Sequence, residues 1–312
     1  MSPRVGLVGA GTMAIAHLRA WRAVGVEPVG VCASRPASAR AFAQEHGLRG
    51  FDGVAELLEA SEALDLCVPT DLHLPLALEA ARAGRDVVCE KPLALGVEQG
   101  QEMIDACEAH GVLLLVAQVL RFFPAYRRAR ELASAGEVGE LTRLELQRAS
   151  SVPMMSWYRD PERSGGLALD LLVHDADYAC WLLGPPSAVS RETLLPASAQ
   201  TLSERVRLRL RWRSGAEALL DGSWDLPGAV TRFRLEGTLG VLEGRDGSLT
   251  LARSGRPDEA EPVPVEAGSA FELQARALAS ALRREAPFEV RPEEALCAVA
   301  VCSGAIGVQG GD

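Results

Sequence analysis

The chain has 312 residues, of which 48% are hydrophobic, and a formal net charge of −10 at pH 7. This length suits two domains of ordinary size, each with its own buried core, and argues against disorder. The negative charge argues against nucleic acid or an anionic membrane as partner, since such a surface attracts neither polyanion, and favours a small diffusible substrate.

The N-terminal third alternates short β-rich runs with amphipathic helices. Five runs are candidate strands: RVGLVG, PVGVCA, ALDLCV, DVVCEK and VLLLVAQV. The helices between them are expected to end at Gly25, Gly47, Gly84 and Gly111, because a glycine commonly terminates a helix. The alternation predicts a parallel sheet with crossover helices, so residues 1–118 are expected to form a doubly wound Rossmann domain of the α/β class.

A glycine-rich turn follows the first strand and matches the dinucleotide-binding pattern G-x-G-x-x-A. Gly9 permits the tight turn, Gly11 lets the backbone approach a pyrophosphate, and the small Ala14 lets the helix pack on the strand. The helix N-terminus also offers N–H groups to phosphates. The alternative is a turn that needs glycine for steric reasons alone. The residues predicted to bind the cofactor here are Gly9, Gly11, Thr12, Met13 and Ala14.

The end of the second strand distinguishes NADP from NAD. An NAD site usually carries an acidic residue there for the ribose 2′-hydroxyl, whereas this chain has Ser34 and Arg35. Ser34 can donate to a 2′-phosphate, and Arg35, helped by Arg40, can neutralise its charge. We therefore predict that NADP is preferred. The alternative is that Ser34 caps the helix beginning at Pro36 and that Arg35 is solvated or stacks on adenine.

Beyond residue 118 the pattern changes to long runs in which Arg and Glu alternate with Leu, Val and Phe. These runs are LTRLELQRAS, ERVRLRLRWRSG and TRFRLEGTLGVLEG, and they follow the helical segment PAYRRARELASAG. Alternation with a period of two predicts a mostly antiparallel sheet with one solvated face. Residues 119–312 are therefore expected to form an α+β substrate-binding and oligomerisation domain. Residues 254–269 are predicted to be a loop, and residues 287–306 a closing strand and helix.

The segment from Val68 to Leu95, VPTDLHLPLALEAARAGRDVVCEKPLAL, resembles the central signature of the Gfo/Idh/MocA family of oxidoreductases. That signature runs T-x-x-H, then an alanine-rich helix, then G-x-x-V-x-x-E-K-P. Three further matches lie in family order: QVLRFFPAY, GGLALDLLVHDADYACWLLG and LEGTLGVLEG. The resemblance covers nearly the whole chain and implies an oxidoreductase that acts on a sugar, a cyclitol or a related small polyol.

The resemblance implies three catalytic residues. Lys91 of Glu-Lys-Pro is expected beside the nicotinamide and the substrate, where it can stabilise a developing alkoxide. In the D-x-x-x-H element, Asp170 is expected to contact substrate hydroxyls and His174 to act as general acid and base, a role that suits an imidazole. Their i, i+4 spacing is interpreted as one face of a single helix. Asp175 and Asp177 are interpreted as solvated or helix-capping residues.

Other residues receive weaker assignments. Further cofactor contacts are predicted at Pro69, Thr70, His73, Glu90 and Gln118. Further substrate contacts are predicted at Arg121, Trp157, Tyr158 and Arg159, because aromatic faces and guanidinium groups suit hydroxylated rings. Packing in a core or a loop is an equally good interpretation of the aromatic pair, and a lone histidine such as His73 is more often a surface residue.

The main prediction is an enzyme that transfers a hydride between a nicotinamide and a secondary alcohol or carbonyl. Two alternatives remain: a relative that recycles its bound cofactor in a non-redox reaction, and a non-catalytic NADP-binding sensor. The seven scattered cysteines lack a paired pattern and indicate reduced thiols in the cytoplasm. No metal ligand spacing is present. A homodimer or homotetramer is expected, assembled through the sheet of the second domain.

Overall fold

The computed structural model describes residues 2–195, 203–225, 228–256 and 259–306. The chain divides into two units, Met1–Val119 with Ser269–Leu296, and Leu120–Gly268 with Cys297–Asp312. The sequence-based division differs at residues 269–296, which it assigned to the second domain. These residues belong to the first unit because helix α10 (Ala270–Leu282) packs against helix α1 (Thr12–Ala23).

The first unit is built on a five-stranded parallel sheet, as the sequence predicts. Its strands are β1 (Val5–Val8), β2 (Gly30–Cys32), β3 (Ala63–Leu66), β4 (Asp86–Glu90) and β5 (Leu114–Ala117). They lie in the order β2-β1-β3-β4-β5, and every neighbouring pair is parallel. This is a Rossmann-type arrangement. Strand β2 is added on one side of β1, and strands β3, β4 and β5 are added on the other side, so the strand order changes direction between β1 and β3.

Helices connect these strands. They are α1, α2 (Pro36–His46), α3 (Val54–Ala60), α4 (His73–Arg82) and α5 (Val97–Ala109). The four predicted helix-terminating glycines are confirmed: Gly25, Gly47, Gly84 and Gly111 all have φ between 66° and 79°, where a side chain would be strained. Every residue of β1, β3 and β5 is buried, as expected for a parallel sheet covered on both faces.

The second unit contains an eight-stranded sheet. Its strands are β6 (Leu141–Ala149), β7 (Ala188–Leu195), β8 (Arg205–Arg211), β9 (Glu217–Ser223), β10 (Val230–Gly237), β11 (Gly240–Arg245), β12 (Ser248–Arg253) and β13 (Glu261–Pro262). They lie in the order β13-β12-β11-β10-β6-β9-β8-β7. Among the described strands of this sheet, only the pairing of β6 with β9 is parallel, so the predicted mostly antiparallel sheet is confirmed.

The alternating pattern of the second unit gives one solvated face. Strand β8 buries Val206 and Leu208 and turns Arg205 and Arg207 to the other side, where both guanidinium groups bind Asp221 of β9. The remaining helices are α6 (Pro124–Ser134), α7 (Pro161–Ser164), α8 (Gly166–Asp170), α9 (Val173–Leu183) and α11 (Pro292–Ser303). The predicted strand after residue 287 is wrong, since residues 287–291 contain no strand, whereas the closing helix is confirmed as α11. No helix in the described ranges is both long and apolar enough to cross a membrane.

Candidate active site

The carboxyl ends of the five parallel strands bring most of the predicted cofactor residues of the first unit to one edge of its sheet. Ligands bind at this edge in doubly wound folds. One group follows each strand in chain order: the Gly9–Gly11 turn, Ser34 with Arg35, Pro69 with Thr70, Lys91, and Gln118.

The two glycines of the first turn are needed for different reasons. Gly9 has φ 116°, and a Cβ there would lie 2.2 Å from the backbone oxygen of Cys67, so the fold itself excludes any other residue. A Cβ at Gly11 would meet no heavy atom within 4 Å. Packing against the described residues therefore does not require Gly11 to be glycine, which fits a backbone that a pyrophosphate approaches closely. Thr12 and the half-buried Met13 begin α1, whose N-terminus no side chain caps, and Ala14 is fully buried.

The residues after β2 are exposed polar and basic side chains. Helix α2 begins at Pro36 with Arg35 as its N-cap and without a capping side chain, so the alternative that Ser34 caps it is wrong. Ser34 and Arg35 are both exposed. In the described part of the chain Arg35 makes no ion pair, whereas Arg40 binds Asp52 at 2.6 Å. Arg35 is thus the better placed of the two guanidinium groups to bind an added phosphate.

His73 connects the loops that follow β3 and β4. Its side chain is fully buried, with Nδ1 2.9 Å from the carbonyl oxygen of Pro92 and Nε2 3.1 Å from that of Val68. Burial lowers the pKa of His73, whereas the carbonyl oxygens of Val68, Leu93 and Pro92 raise it. The predicted contact of His73 with the cofactor ribose stays a prediction. The ring contacts carbonyl groups of both loops and so acts as a brace between them. The second loop begins directly after Lys91, whose peptide bond to Pro92 is cis.

Lys91 lies directly after β4 and is half-buried. It is the only lysine among the 32 lysine and arginine residues of the chain. All the others are arginines. An arginine side chain cannot lose its proton and lacks the compact ammonium group of lysine. A simple count of lysines could have singled out this position from the sequence, and it strengthens the assignment of chemistry to Lys91.

Glu90 and a histidine that sequence reasoning missed lie next to Lys91. The Glu90 carboxylate is buried, with Oε1 2.8 Å from Nε2 of His17, while Oε2 accepts the backbone N–H of Lys91 at 3.1 Å. A signal for His17 was present in the sequence. It shares the buried stripe of α1 with Ala14, Leu18 and Trp21, and a polar residue inside such a stripe needs a buried partner.

Gln118 follows β5 and is fully buried. Neither its carboxamide oxygen nor its nitrogen has a hydrogen-bond partner in the described residues. Buried polar groups are nearly always bonded, so this side chain fits a site completed by a polar ligand. Gly11 and Gln118 together show that the residues at this edge suit a bound dinucleotide.

Asp170 and His174 belong to the second unit, and the prediction that one helix carries both is wrong. Helix α8 ends at Asp170, and α9 begins at Val173. Leu171 and Leu172 separate the two helices. Asp170 is buried and His174 half-buried.

The interpretation of Asp175 and Asp177 as solvated or capping residues is also wrong. Both are fully buried and form ion pairs, Asp175 with Arg148 at 2.7 Å and Asp177 with Arg121 at 2.7 Å. The Arg121 guanidinium binds Asp177 through Nε and Nη2 and also lies 5.1 Å from the Trp181 ring. These contacts give Arg121 a structural role, and its predicted contact with substrate stays a prediction.

Removing one partner of this buried pair is expected to destabilise the protein strongly. Asp177→Ala leaves the Arg121 charge buried without its carboxylate, which typically costs about 3–5 kcal/mol. The free energy of unfolding, measured in urea, checks this. Glu145→Ala removes the partner of Arg143, an ion pair in which both side chains are at least 42% exposed, and is expected to cost at most about 1 kcal/mol. Equal losses in the two variants contradict the prediction.

The predicted aromatic wall lies in the second unit. The rings of Trp157 and Tyr158 stack with centroids 3.8 Å apart, and Tyr158 meets Trp224 edge to face at 6.3 Å. Both stacked rings are half-buried, so part of each remains open to solvent. Both rings lie in a 3-10 turn, Ser156–Arg159. Arg159 ends this turn, but its side chain lies outside the described residues. A flat, partly open aromatic surface of this kind suits the apolar face of a sugar ring.

Comparison with known proteins gives the same fold and chemistry. Residues 3–118 match the oxidoreductase family with an NAD-binding Rossmann fold, and residues 126–243 match the GFO/IDH/MocA C-terminal domain. The chain is 30% identical to the 1,5-anhydro-D-fructose reductase of Ensifer adhaerens over 299 residues, covering 89% of this chain and 88% of that protein.

Two further comparisons agree. The D-xylose 1-dehydrogenase (NADP(+)) 2 of Haloferax volcanii is 30% identical over 244 residues, which cover 74% of each chain. A levoglucosan dehydrogenase solved with NADH and levoglucosan has the same fold, with a TM-score of 0.87, 21% identity and 98% of both chains covered. The chain therefore belongs to the Gfo/Idh/MocA family of oxidoreductases.

Proposed function

We propose that this oxidoreductase transfers a hydride between a nicotinamide cofactor and a secondary alcohol or carbonyl of a sugar, a cyclitol or a related polyol. The observation that carries the proposal is the position of Lys91, the only lysine, at the carboxyl edge of a dinucleotide-binding sheet. The relatives are named as enzymes of anhydrofructose and xylose, which supports a polyol as the substrate class.

The proposed roles follow the chemistry of each side chain. The cofactor supplies the hydride acceptor or donor when it is bound. His174 takes the hydroxyl proton during oxidation and returns it during reduction, as an imidazole can near neutral pH. The Lys91 ammonium stabilises negative charge that develops on the substrate oxygen, and Asp170 accepts a hydrogen bond from a substrate hydroxyl. Trp157 and Tyr158 are proposed to contact the ring of the substrate.

We propose NADP as the preferred cofactor. The support comes from the end of β2, where no acidic residue follows Cys32 and where Ser34 and Arg35 are exposed. One relative is named for NADP and a structural neighbour was solved with NADH, so the choice between the two depends on this chain's own residues. A phosphate contact from Arg35 is charge-assisted, and an adenine contact is not.

Arg35→Ala is expected to weaken NADP(H) binding by about one to two decades while changing NAD(H) binding little, because a hydrogen bond to a charged group contributes roughly 1.5–3 kcal/mol. Fluorescence titration with both reduced cofactors measures the two dissociation constants. Arg40→Ala is the matched control on the same helix, since its guanidinium already binds Asp52. An equal loss for both cofactors in Arg35→Ala means that Arg35 stacks on adenine instead.

A spectrophotometric screen tests the proposed reaction. Cyclitols, aldoses, keto-sugars and anhydro-sugars are offered with each oxidised or reduced cofactor, and absorbance at 340 nm is followed beside product analysis. The proposal expects one reduced cofactor for each molecule of alcohol oxidised. Product that forms without net cofactor reduction favours the recycling reaction, and binding of cofactor without turnover of any polyol favours a sensor.

We also propose a cytoplasmic homodimer or homotetramer. All seven cysteines are free thiols, which suits a reducing compartment. The solvated face of the second unit's sheet carries ion pairs such as Arg207–Asp221, so an interface there would be polar and sensitive to salt. Sedimentation velocity at micromolar concentration is expected to detect the oligomer. A stable monomer at both low and high salt contradicts this proposal.

A further inference from the structure

A buried network in the first unit joins α1 to β3 and β4. His17 Nδ1 lies 3.0 and 2.9 Å from the two carboxylate oxygens of Asp65, and Nε2 lies 2.8 Å from Glu90 Oε1. The side chain of Trp21 donates to Asp65 at 2.7 Å. The exposures of His17, Asp65 and Glu90 are 3%, 0% and 4%, so water does not compete for these bonds.

The geometry fixes how many protons the network holds. A carboxylate can only accept hydrogen bonds, and each nitrogen of the His17 ring faces one. Asp65, Glu90 and His17 therefore share two protons, most simply as one imidazolium between two carboxylates. Burial opposes that charge, but the attraction and hydrogen bond of Asp65 and those of Cys67 together outweigh it, and the pKa of His17 lies well above its ordinary value.

The other groups that face His17 do not replace this arrangement. The Cys67 thiol lies 3.6 Å from Asp65, and the Phe271 ring of α10 meets the imidazole edge to face at 6.4 Å. His17, Asp65 and Cys67 are close enough to hold a metal ion. In the arrangement seen here, burial raises the pKa of the Cys67 thiol to about 12, so the thiol keeps its proton. The hydrogen bonds account for the cluster without an ion.

Glu90 links this network to the proposed chemistry. One oxygen of its carboxylate is held by His17, and the other accepts the backbone N–H of Lys91 at 3.1 Å. The direction in which a side chain leaves the backbone follows from the backbone's orientation. A shift of the Glu90 carboxylate therefore shifts the Lys91 backbone to which the lysine side chain is attached.

We propose that His17 is a positioning residue: by holding the Glu90 carboxylate it fixes the backbone of Lys91 and so directs the ammonium toward the substrate oxygen. The catalytic consequence rests on the proposed function given above. The structural link does not, because the three residues and their contacts all lie in the first unit.

A pair of variants separates the two sides of the His17 ring. Asparagine at position 17 has an amide that matches Nδ1 and can still donate to Asp65, whereas glutamine matches Nε2 and can still donate to Glu90. Both remove the same buried charge. A role in positioning predicts that His17→Asn is the more harmful of the two, whereas a role in packing alone predicts that both are equally harmful. Trp21→Phe, which loses only the bond to Asp65, is the control.

The readout is the backbone amide of Lys91. Because the chain has one lysine, protein labelled with ¹⁵N-lysine gives a single backbone amide resonance. We expect this resonance to move or broaden in His17→Asn and to stay near its wild-type position in His17→Gln and Trp21→Phe. The hydride-transfer rate is expected to fall about 10- to 100-fold in His17→Asn, as small misplacements of reacting groups do, and His17→Gln is expected to recover most of that loss.

Each outcome decides the proposal. An unmoved Lys91 resonance in folded His17→Asn overturns it, as does an equal displacement in both His17 variants. If His17→Asn does not fold, His17→Gln carries the test, and a displaced resonance there is the contrary result. Failure of both to fold, under conditions where Trp21→Phe folds, assigns His17 to the core alone. The resonance needs no substrate, so the expected shifts without oxidation of any polyol overturn the proposed function and leave the network standing.

Discussion

His174→Ala is expected to lower the rate of the hydride step by about 10²- to 10⁴-fold, the usual contribution of a general acid or base. The imidazole is proposed to act on the substrate hydroxyl, so cofactor binding should stay nearly intact. Single-turnover absorbance measures the step, and fluorescence titration measures the dissociation constant of the dinucleotide. His110→Ala is the matched control, because His110 is exposed and, within the described ranges, its side chain bonds to the Ala106 carbonyl of its own helix end.

The pH profile gives a second, independent sign of this role. Alcohol oxidation by the wild-type enzyme should rise as the imidazole loses its proton, because only the neutral ring can accept one. That rising limb should be absent from the residual activity of His174→Ala. A variant that keeps both the turnover and the pH profile of the wild type shows that another group serves as acid and base, and Lys91 then becomes the candidate.

Lys91→Arg is expected to lower the rate about 10²- to 10³-fold, comparable to the loss of one group that stabilises an oxyanion. The substitution keeps the positive charge but replaces a compact ammonium with a broad planar fork that cannot reach the same point. The rate constant of the hydride step measures the effect, and thermal unfolding checks that the fold is retained. Arg40→Lys, the reverse exchange at a surface ion pair, is expected to change neither.

The absence of other lysines allows this assignment to be tested chemically. Amine-directed acylation can modify only Lys91 and the chain's α-amino group, and bound NADPH should slow the reaction at Lys91. Peptide mass spectrometry follows the two sites separately. A Lys91→Arg variant with wild-type turnover, or acylated Lys91 with full activity, means that the ammonium of Lys91 does not take part in the reaction.

The sequence was sufficient for the parallel sheet of the first unit because its signals are local. A run such as RVGLVG, a turn such as Gly9–Gly11 and a terminating glycine such as Gly84 each act over a few residues. The structure confirms all three, with Gly9 at φ 116° and Gly84 at φ 67°. The large antiparallel sheet of the second unit was predictable for the same reason, since period-two alternation is also local.

The failures concern interactions between residues far apart in the chain. Asp177 looked like a solvated helix residue because its partner, Arg121, lies 56 positions earlier. The single helix expected over residues 170 to 174 was an inference from spacing, whereas α8 ends at Asp170 and α9 begins at Val173. His17, on helix α1, was overlooked because its partners Asp65 and Glu90 lie on strands β3 and β4. Periodicity carries no information about such pairings.

The His73 brace has a consequence for how this sheet edge can evolve. The ring ties the carbonyl of Val68 after β3 to those of Pro92 and Leu93 after β4. An insertion or deletion in either loop would move one set of carbonyls away from a buried imidazole that has no water to replace them. We therefore expect the lengths of the two loops to be conserved together among descendants of this chain. A change in the length of one loop would require a compensating change in the other.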